Sequence, residues 1–239
     1  MTDHVFTRRE QKYLLDKTQR QALIAAMETY MEPEKYHRSD IRNIYYDTPD
    51  HRLIRRSLEK PAYKEKLRLR SYGAAQGEDS VFLEMKKKYK GIVYKRRVGI
   101  SQEAAKAYMA DVDARLEAGQ IGREIDYFKA FYQNLQPALY LSYDRLAWRS
   151  SDGDLRVTLD WNICYRAESM DLTAQPGGTP LLPEEQSLLE IKAVGAMPLW
   201  LSGLLSSQKI RQVSFSKYGT AYTQLLQKEL SESRGNTYA

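Results

Sequence analysis

Cysteine is nearly missing from this chain: Cys164 is the single one in 239 residues, so no intramolecular disulfide can form and a reducing compartment suits it better than export. Histidine is scarce as well. His4, His37 and His51 show no metal-ligand spacing, which with one cysteine leaves no zinc signature. There is no G-x-S-x-G elbow and Cys164 has no evident base, so nucleophilic serine or cysteine chemistry finds no support. No G-x-G-x-x-G or G-x-x-x-x-G-K stretch exists, which excludes the common dinucleotide and P-loop sites. No run of apolar residues is long enough to cross a bilayer, and the opening MTDHVFTRREQKYLL lacks a secretory core and cleavage site. A cytoplasmic protein without a transmembrane segment is expected.

What is present is charge in a particular place. The net charge is +6, yet Lys60 to Arg97 holds 12 Lys or Arg against 4 Asp or Glu, so this segment more than accounts for the excess. A basic balance alone fits nucleic acid, an anionic membrane or a small polyanion. A single domain over 1–230 with a flexible tail over 231–239 is expected.

The periodicity predicts a strand over Val5–Leu15, then a helix over Lys17–Tyr30 with Leu23, Ile24, Met27 and Met31 at helical spacing behind an Asp16 or Thr18 cap. Further strands are predicted at Ile41–Tyr46, Lys64–Ser71, Val81–Tyr89, Ile92–Ile100, Leu139–Trp148, Leu155–Tyr165 and Leu188–Val194. Helices are predicted at Asp50–Ser57, Gln102–Asp111 behind Ser101, Gly122–Leu135, Pro198–Leu205 and Lys217–Leu230, and a long loop over Met170–Pro183.

Side chains two apart on a strand share a face. Lys64, Lys66, Arg68 and Arg70 therefore share one face against Leu67 and Leu69 on the other. The same split recurs with Glu84 and Lys86, Tyr143 and Arg145, Arg156, Thr158 and Asp160, Glu190 and Lys192, and Glu10 and Lys12. One such strand is explained by a sheet with one solvated face. A row of like charges is costly unless an anion sits among them, and six strands repeat the arrangement. The expectation is an α+β fold: an eight-stranded antiparallel closed barrel, charged faces inward and helices packed on the outside. The carboxylates Glu10, Glu84, Asp160 and Glu190 would then sit beside a polyanion, which a hard cation such as Mn²⁺ or Mg²⁺ reconciles by accepting carboxylate and phosphate oxygens together.

These segments resemble the VTC domain, the catalytic domain of the vacuolar transporter chaperone polyphosphate polymerase, in the triphosphate tunnel metalloenzyme superfamily related to CYTH domains. The resemblance runs from Phe6 to Leu226 through FTRREQKYLL, NIYYDTP, KEKLRLRSYG, VFLEMKKKYKGIVYKRR, LYLSYDRLAW, LRVTLDWNI, LLEIKA and VSFSKYGTAY. It implies a triphosphate tunnel in which Lys12, Arg68, Arg70, Lys86, Lys95, Arg145, Arg156 and Lys192 are catalytic cations. It implies Glu190 as metal-coordinating glutamate and Ser216 with Lys217 as a substrate-binding pair. Lys66 and Tyr143, on the faces of Arg68 and Arg145, join them as substrate contacts. Which of Lys95, Arg96 and Arg97 faces the site depends on register, and Gly91 could shift it by a bulge.

The implied reaction moves the γ-phosphoryl of ATP to polyphosphate and releases ADP. Hydrolysis of triphosphate or a nucleoside triphosphate is the alternative, and a non-catalytic polyphosphate-binding protein is the alternative of another class. No nucleic-acid partner is expected. Neither an inositol-phosphate sensor before the domain nor a membrane segment after it is expected, and a separately encoded membrane partner is a further expectation.

Overall fold

The computed structural model describes residues 8–90, 92–117 and 119–235. Val5–Thr7 of the first expected strand, His4, Gly91 with its expected bulge and the last four residues of the expected tail lie outside the described residues. The elements in order are β1 (Arg8–Leu15), α1 (Lys17–Tyr30), β2 (Glu32–Asp47), α2 (Arg52–Leu58), β3 (Tyr63–Tyr72), β4 (Ser80–Tyr89), β5 (Ile92–Ser101), α3 (Gln102–Ala110) and α4 (Gly119–Tyr132). There follow β6 (Gln136–Arg149), β7 (Leu155–Arg166), β8 (Thr179–Pro180), β9 (Ser187–Val194), α5 (Leu199–Ser207) and α6 (Lys217–Gly235). Among the described residues no helix is long and apolar enough to cross a membrane.

The strands form one antiparallel sheet in the order β1-β9-β7-β6-β2-β3-β4-β5, with β8 paired to β7. That order is an open path of eight strands, with β8 as the ninth strand of the sheet, which overturns the closed eight-stranded barrel and with it the expected tunnel. The physical reason lies at the ends. The outer edge of β1 is taken by the segment after α5: Tyr13 bridges Gln212, and the Val213 N–H donates to the Lys12 carbonyl at 2.8 Å. Nor does one-faced charge demand closure, because helices on the apolar face suffice to dry it.

Two compact units share the chain. The first takes the chain up to Asp40, Tyr143–Ile163 and Leu182–Phe215; the second takes Ile41–Ser142, Cys164–Leu181 and the chain from Ser216 on. The first unit packs Leu23 and Met27 of α1 and Leu201 and Leu205 of α5 with Tyr13, Val157, Leu159, Leu189 and Ile191, the apolar halves of β1, β7 and β9. Asp16 caps α1, its carboxylate accepting from Gln19 N at 2.8 Å while the Gln19 side chain accepts from Asp16 N, a reciprocal capping box.

The second unit packs Ala105 and Tyr108 of α3 and Ile125, Phe128 and Tyr132 of α4 onto Leu67, Leu69, Leu83 and Met85. Each of those four strand side chains is essentially fully buried, a gain of about 1.5–3 kcal/mol apiece. Truncating Leu83 to alanine would cost roughly 2–5 kcal/mol. The expected loop at 170–183 contains β8. There Gly178 (φ +123°) leaves no room for a side chain, since a Cβ would lie 2.3 Å from the Tyr165 carbonyl oxygen.

Candidate functional site

In the second unit the register across β3, β4 and β5 lines up charges in rows. Lys66 faces Lys86, which faces Lys95; the next row is Arg68, Glu84 and Arg97. Residues directly opposite share a face, so the alternation of each strand becomes a continuous cationic surface. This register also answers the question left at Lys95–Arg97. Lys95 and Arg97 stand on the face of Glu84, while Arg96 stands opposite Met85 and pairs with Glu124 of α4 at 2.9 Å.

Glu84 is 2% exposed and surrounded. Its Oε2 accepts from Arg68 Nε at 2.8 Å and Nη2 at 2.7 Å, with Arg70 Nε at 3.8 Å. Its Oε1 meets Lys95 Nζ at 2.7 Å and Arg97 Nε at 3.1 Å. Burial by itself would raise the carboxyl pKa, but Arg68, Arg70 and Lys95 override it and hold the group well below the usual carboxylate range. Burial lowers the Lys95 ammonium pKa, a shift that Glu84 only partly offsets and that the neighbouring arginines reinforce.

The arginines are held from behind. Arg68 Nη1 donates to the Tyr45 hydroxyl at 3.1 Å, and Arg70 Nε donates to Asn43 Oδ1 at 2.9 Å, whose amide donates in turn to the Leu141 carbonyl. Tyr45 stacks on Tyr218 (4.5 Å), whose hydroxyl donates to Asp47 at 2.9 Å. Asp47 is fully buried and also accepts from the Leu53 and Ile54 N–H groups, stitching α2 to α6. Lys66 Nζ donates to Ser216 Oγ at 3.1 Å, and that oxygen caps α6 by accepting from Gly219 N. Lys217 opens α6, at the helix end that favours an anion.

The first unit has its own charged face. Lys12 lies opposite Glu190 and Glu10 opposite Lys192, with Arg156 next to Lys192 and Thr158 next to Glu190. Lys12 Nζ sits 3.3 Å from Glu10, 3.5 Å from Glu190 and 3.1 Å from the Phe215 carbonyl; Lys192 is 3.7 Å from Glu10. Arg145 forks onto Asp160 at 2.6 and 2.7 Å, its guanidinium 5.2 Å from the buried Tyr143 ring. Burial opposes the Arg145 charge, yet Asp160 outweighs it and raises the pKa. Arg156 forks onto Glu34 at 2.5 and 2.8 Å, a hydrogen bond that lowers the Glu34 pKa.

The expected site residues thus fall into two groups: Lys66, Arg68, Arg70, Glu84, Lys86, Lys95, Ser216 and Lys217 in the second unit, and Glu10, Lys12, Tyr143, Arg145, Arg156, Asp160, Glu190 and Lys192 in the first. Sequence reasoning left Arg97 open for want of a register, and missed Tyr45 and Asn43, which only the register reveals, and Glu34, which sits in a polar stretch with no apolar alternation.

The four carboxylates differ as cation ligands. Glu84 and Asp160 are each gripped by guanidinium groups, which a metal would have to displace. Glu10 and Glu190 are partly exposed, both face the Lys12 ammonium, and supply the one or two carboxylates with which Mg²⁺ or Mn²⁺ is usually held beside phosphates. Among the described residues no three Asp, Glu, His or Cys side chains gather into a cage.

The VTC domain family matches residues 7–226. No curated protein matches significantly. Among solved structures, a candidate adenylate cyclase from Bacillus halodurans is similar at 18% identity, covering 87% of this chain and 92% of that one with a TM-score of 0.55. A candidate adenylyl cyclase from Hippeastrum, described as having a dominant triphosphatase activity, is similar at 15% identity, covering 90% and 95% with a TM-score of 0.55. At such identities the likeness is one of fold.

Proposed function

The chain belongs to the VTC domain family of the CYTH and triphosphate tunnel metalloenzyme superfamily, whose members handle triphosphate and polyphosphate; from that membership we propose that it is a metal-dependent polyphosphate polymerase. The observation that supports the reading is the β3–β5 face, where Lys66, Lys86 and Lys95 stand in one row and Arg68, Arg70 and Arg97 share a single buried carboxylate. That surplus of positive charge is stabilised by a bound phosphate chain.

In the proposed reaction a terminal oxygen of polyphosphate attacks the γ-phosphorus of ATP. The bond from that phosphorus to the β–γ bridging oxygen breaks, and ADP leaves with the electron pair. Such transfers need positioning and charge stabilisation more than covalent help, which forked arginines and point-charge lysines supply. Glu10 and Glu190 would hold Mn²⁺ or Mg²⁺, which when bound neutralises phosphate charge. ATP and polyphosphate are the proposed partners.

Hydrolysis of a triphosphate is the second reading, favoured by the fold likeness to the Hippeastrum protein. Incubation with ATP and Mn²⁺ separates the two. Long polyphosphate with ADP supports the polymerase, whereas orthophosphate without polymer sinks it.

A further inference from the structure

At the far end of β4 and β5 the apolar face continues past its helices. Tyr89, Ile92 and Tyr94 stand on the side of Met85, yet each is about half exposed (47%, 48% and 45%), while Met85 itself is fully buried. Val93, on the opposite side of the same ribbon, is 44% exposed. Both faces of the ribbon end are therefore wet, and apolar on each. Around these side chains lie Lys87, Lys88 and Lys90, whereas farther along the ribbon Lys86 and Lys95 belong to the row already described, Arg97 meets Glu84 and Arg96 meets Glu124. Burial first, and then the neighbouring Lys88, Lys60 and Lys86, lower the pKa of Lys64, which stands opposite Lys88, so positive charges crowd this end of the sheet.

We propose that this ribbon end docks on an anionic lipid surface, with Tyr89, Ile92, Val93 and Tyr94 entering the interface and the lysines meeting the headgroups. The composition fits that occupant. Tyrosines are amphipathic interface anchors, lysines extend their stems along apolar surface toward charge, and each basic residue near such a surface adds roughly a fivefold factor in affinity. A second copy of the chain would bring like charges together. An acidic segment adding along β5, the last strand of the pairing order, would cover one edge but leave Tyr89 on the neighbouring strand and one of the two apolar faces wet.

The test is co-sedimentation of the full chain with phosphatidylcholine vesicles, with and without phosphatidylserine. Binding is expected only with phosphatidylserine, weakening as salt rises. Lys87→Ala/Lys88→Ala/Lys90→Ala should lower it by roughly a hundredfold, and Ile92→Ser/Tyr94→Ser by tenfold or more, both keeping the wild-type melting transition. In Tyr94→Trp, tryptophan emission should shift to the blue on binding. Retained binding by the Ile92/Tyr94 variant, unshifted emission from Tyr94→Trp, or equal binding to neutral vesicles would each overturn the proposal. Complete displacement by inorganic triphosphate would also overturn it, by assigning the lipid contact to the phosphate-binding face. None of these outcomes bears on polymer synthesis, which is measured without lipid.

Discussion

In the second unit one buried carboxylate, Glu84, is shared by Arg68, Arg70, Lys95 and Arg97; in the first, Asp160 takes Arg145 in a fork and Glu34 takes Arg156 in another. Both arrangements arise from the same strand alternation, and both leave an apolar face for helices to cover. They differ in balance. In each paired fork one carboxylate meets one guanidinium, whereas Glu84 is outnumbered by the cations around it. The Glu10, Lys12 and Glu190 group stands between these cases, with two carboxylates about one ammonium.

The largest effects should come from breaking the two buried centres. Arg145→Ala leaves Asp160, fully buried, without its fork, and Glu84→Gln leaves its cations without their counter-charge; each should cost about 3–5 kcal/mol in urea denaturation. The comparison predicts a difference in rescue. Triphosphate should restore much of the loss in Glu84→Gln and little in Arg145→Ala; equal rescue would erase the distinction. Next, Arg68→Ala should lower turnover roughly 100- to 1,000-fold and cost about 1–3 kcal/mol in stability, less than the two buried centres, because Glu84 Oε2 loses its short hydrogen bonds while Arg70, Lys95 and Arg97 remain beside the carboxylate. Tyr45→Phe, which deletes one hydrogen bond to Arg68, should cost about 0.5–1.5 kcal/mol in triphosphate affinity by calorimetry.

The remaining effects are in pH. Lys95 ionises below the usual lysine range, so triphosphate affinity should fall a few-fold as alkaline pH rises through that lowered value. On the acid side the Glu84 carboxyl is depressed on folding. Its stabilisation is therefore present above the ordinary carboxylate range and lost as pH falls toward the depressed value. Equilibrium unfolding against pH in Glu84→Gln should lack that acid limb.

Much of this was legible in sequence because strand parity is local. YKEKLRLRS shows its charged and apolar faces wherever its neighbours lie, and Leu67 and Leu69 are buried as expected. Closure is not local: whether the edge of β1 meets another strand depended on Gln212 and Val213, a distant segment with no strand periodicity. Register is not local either, so Arg97 waited on its pairing with Glu84. The first half of β2, Glu32–Asp40, went unread because both its faces are largely wet and no alternation marks it. Asp47, between the expected strand Ile41–Tyr46 and the expected helix Asp50–Ser57, carries no mark of burial in the sequence; its buried grip on α2 and Tyr218 needed the tertiary fold.

The most direct test of the central claim is a crystal structure with tripolyphosphate and Mn²⁺, the metal placed by its anomalous signal. Phosphate oxygens should lie within hydrogen-bonding distance of Arg68, Arg70 and Lys95, and manganese at Glu10 and Glu190, with Glu84 still held by its arginines. Manganese on Glu84, or a phosphate chain that leaves the β3–β5 face untouched, would contradict it.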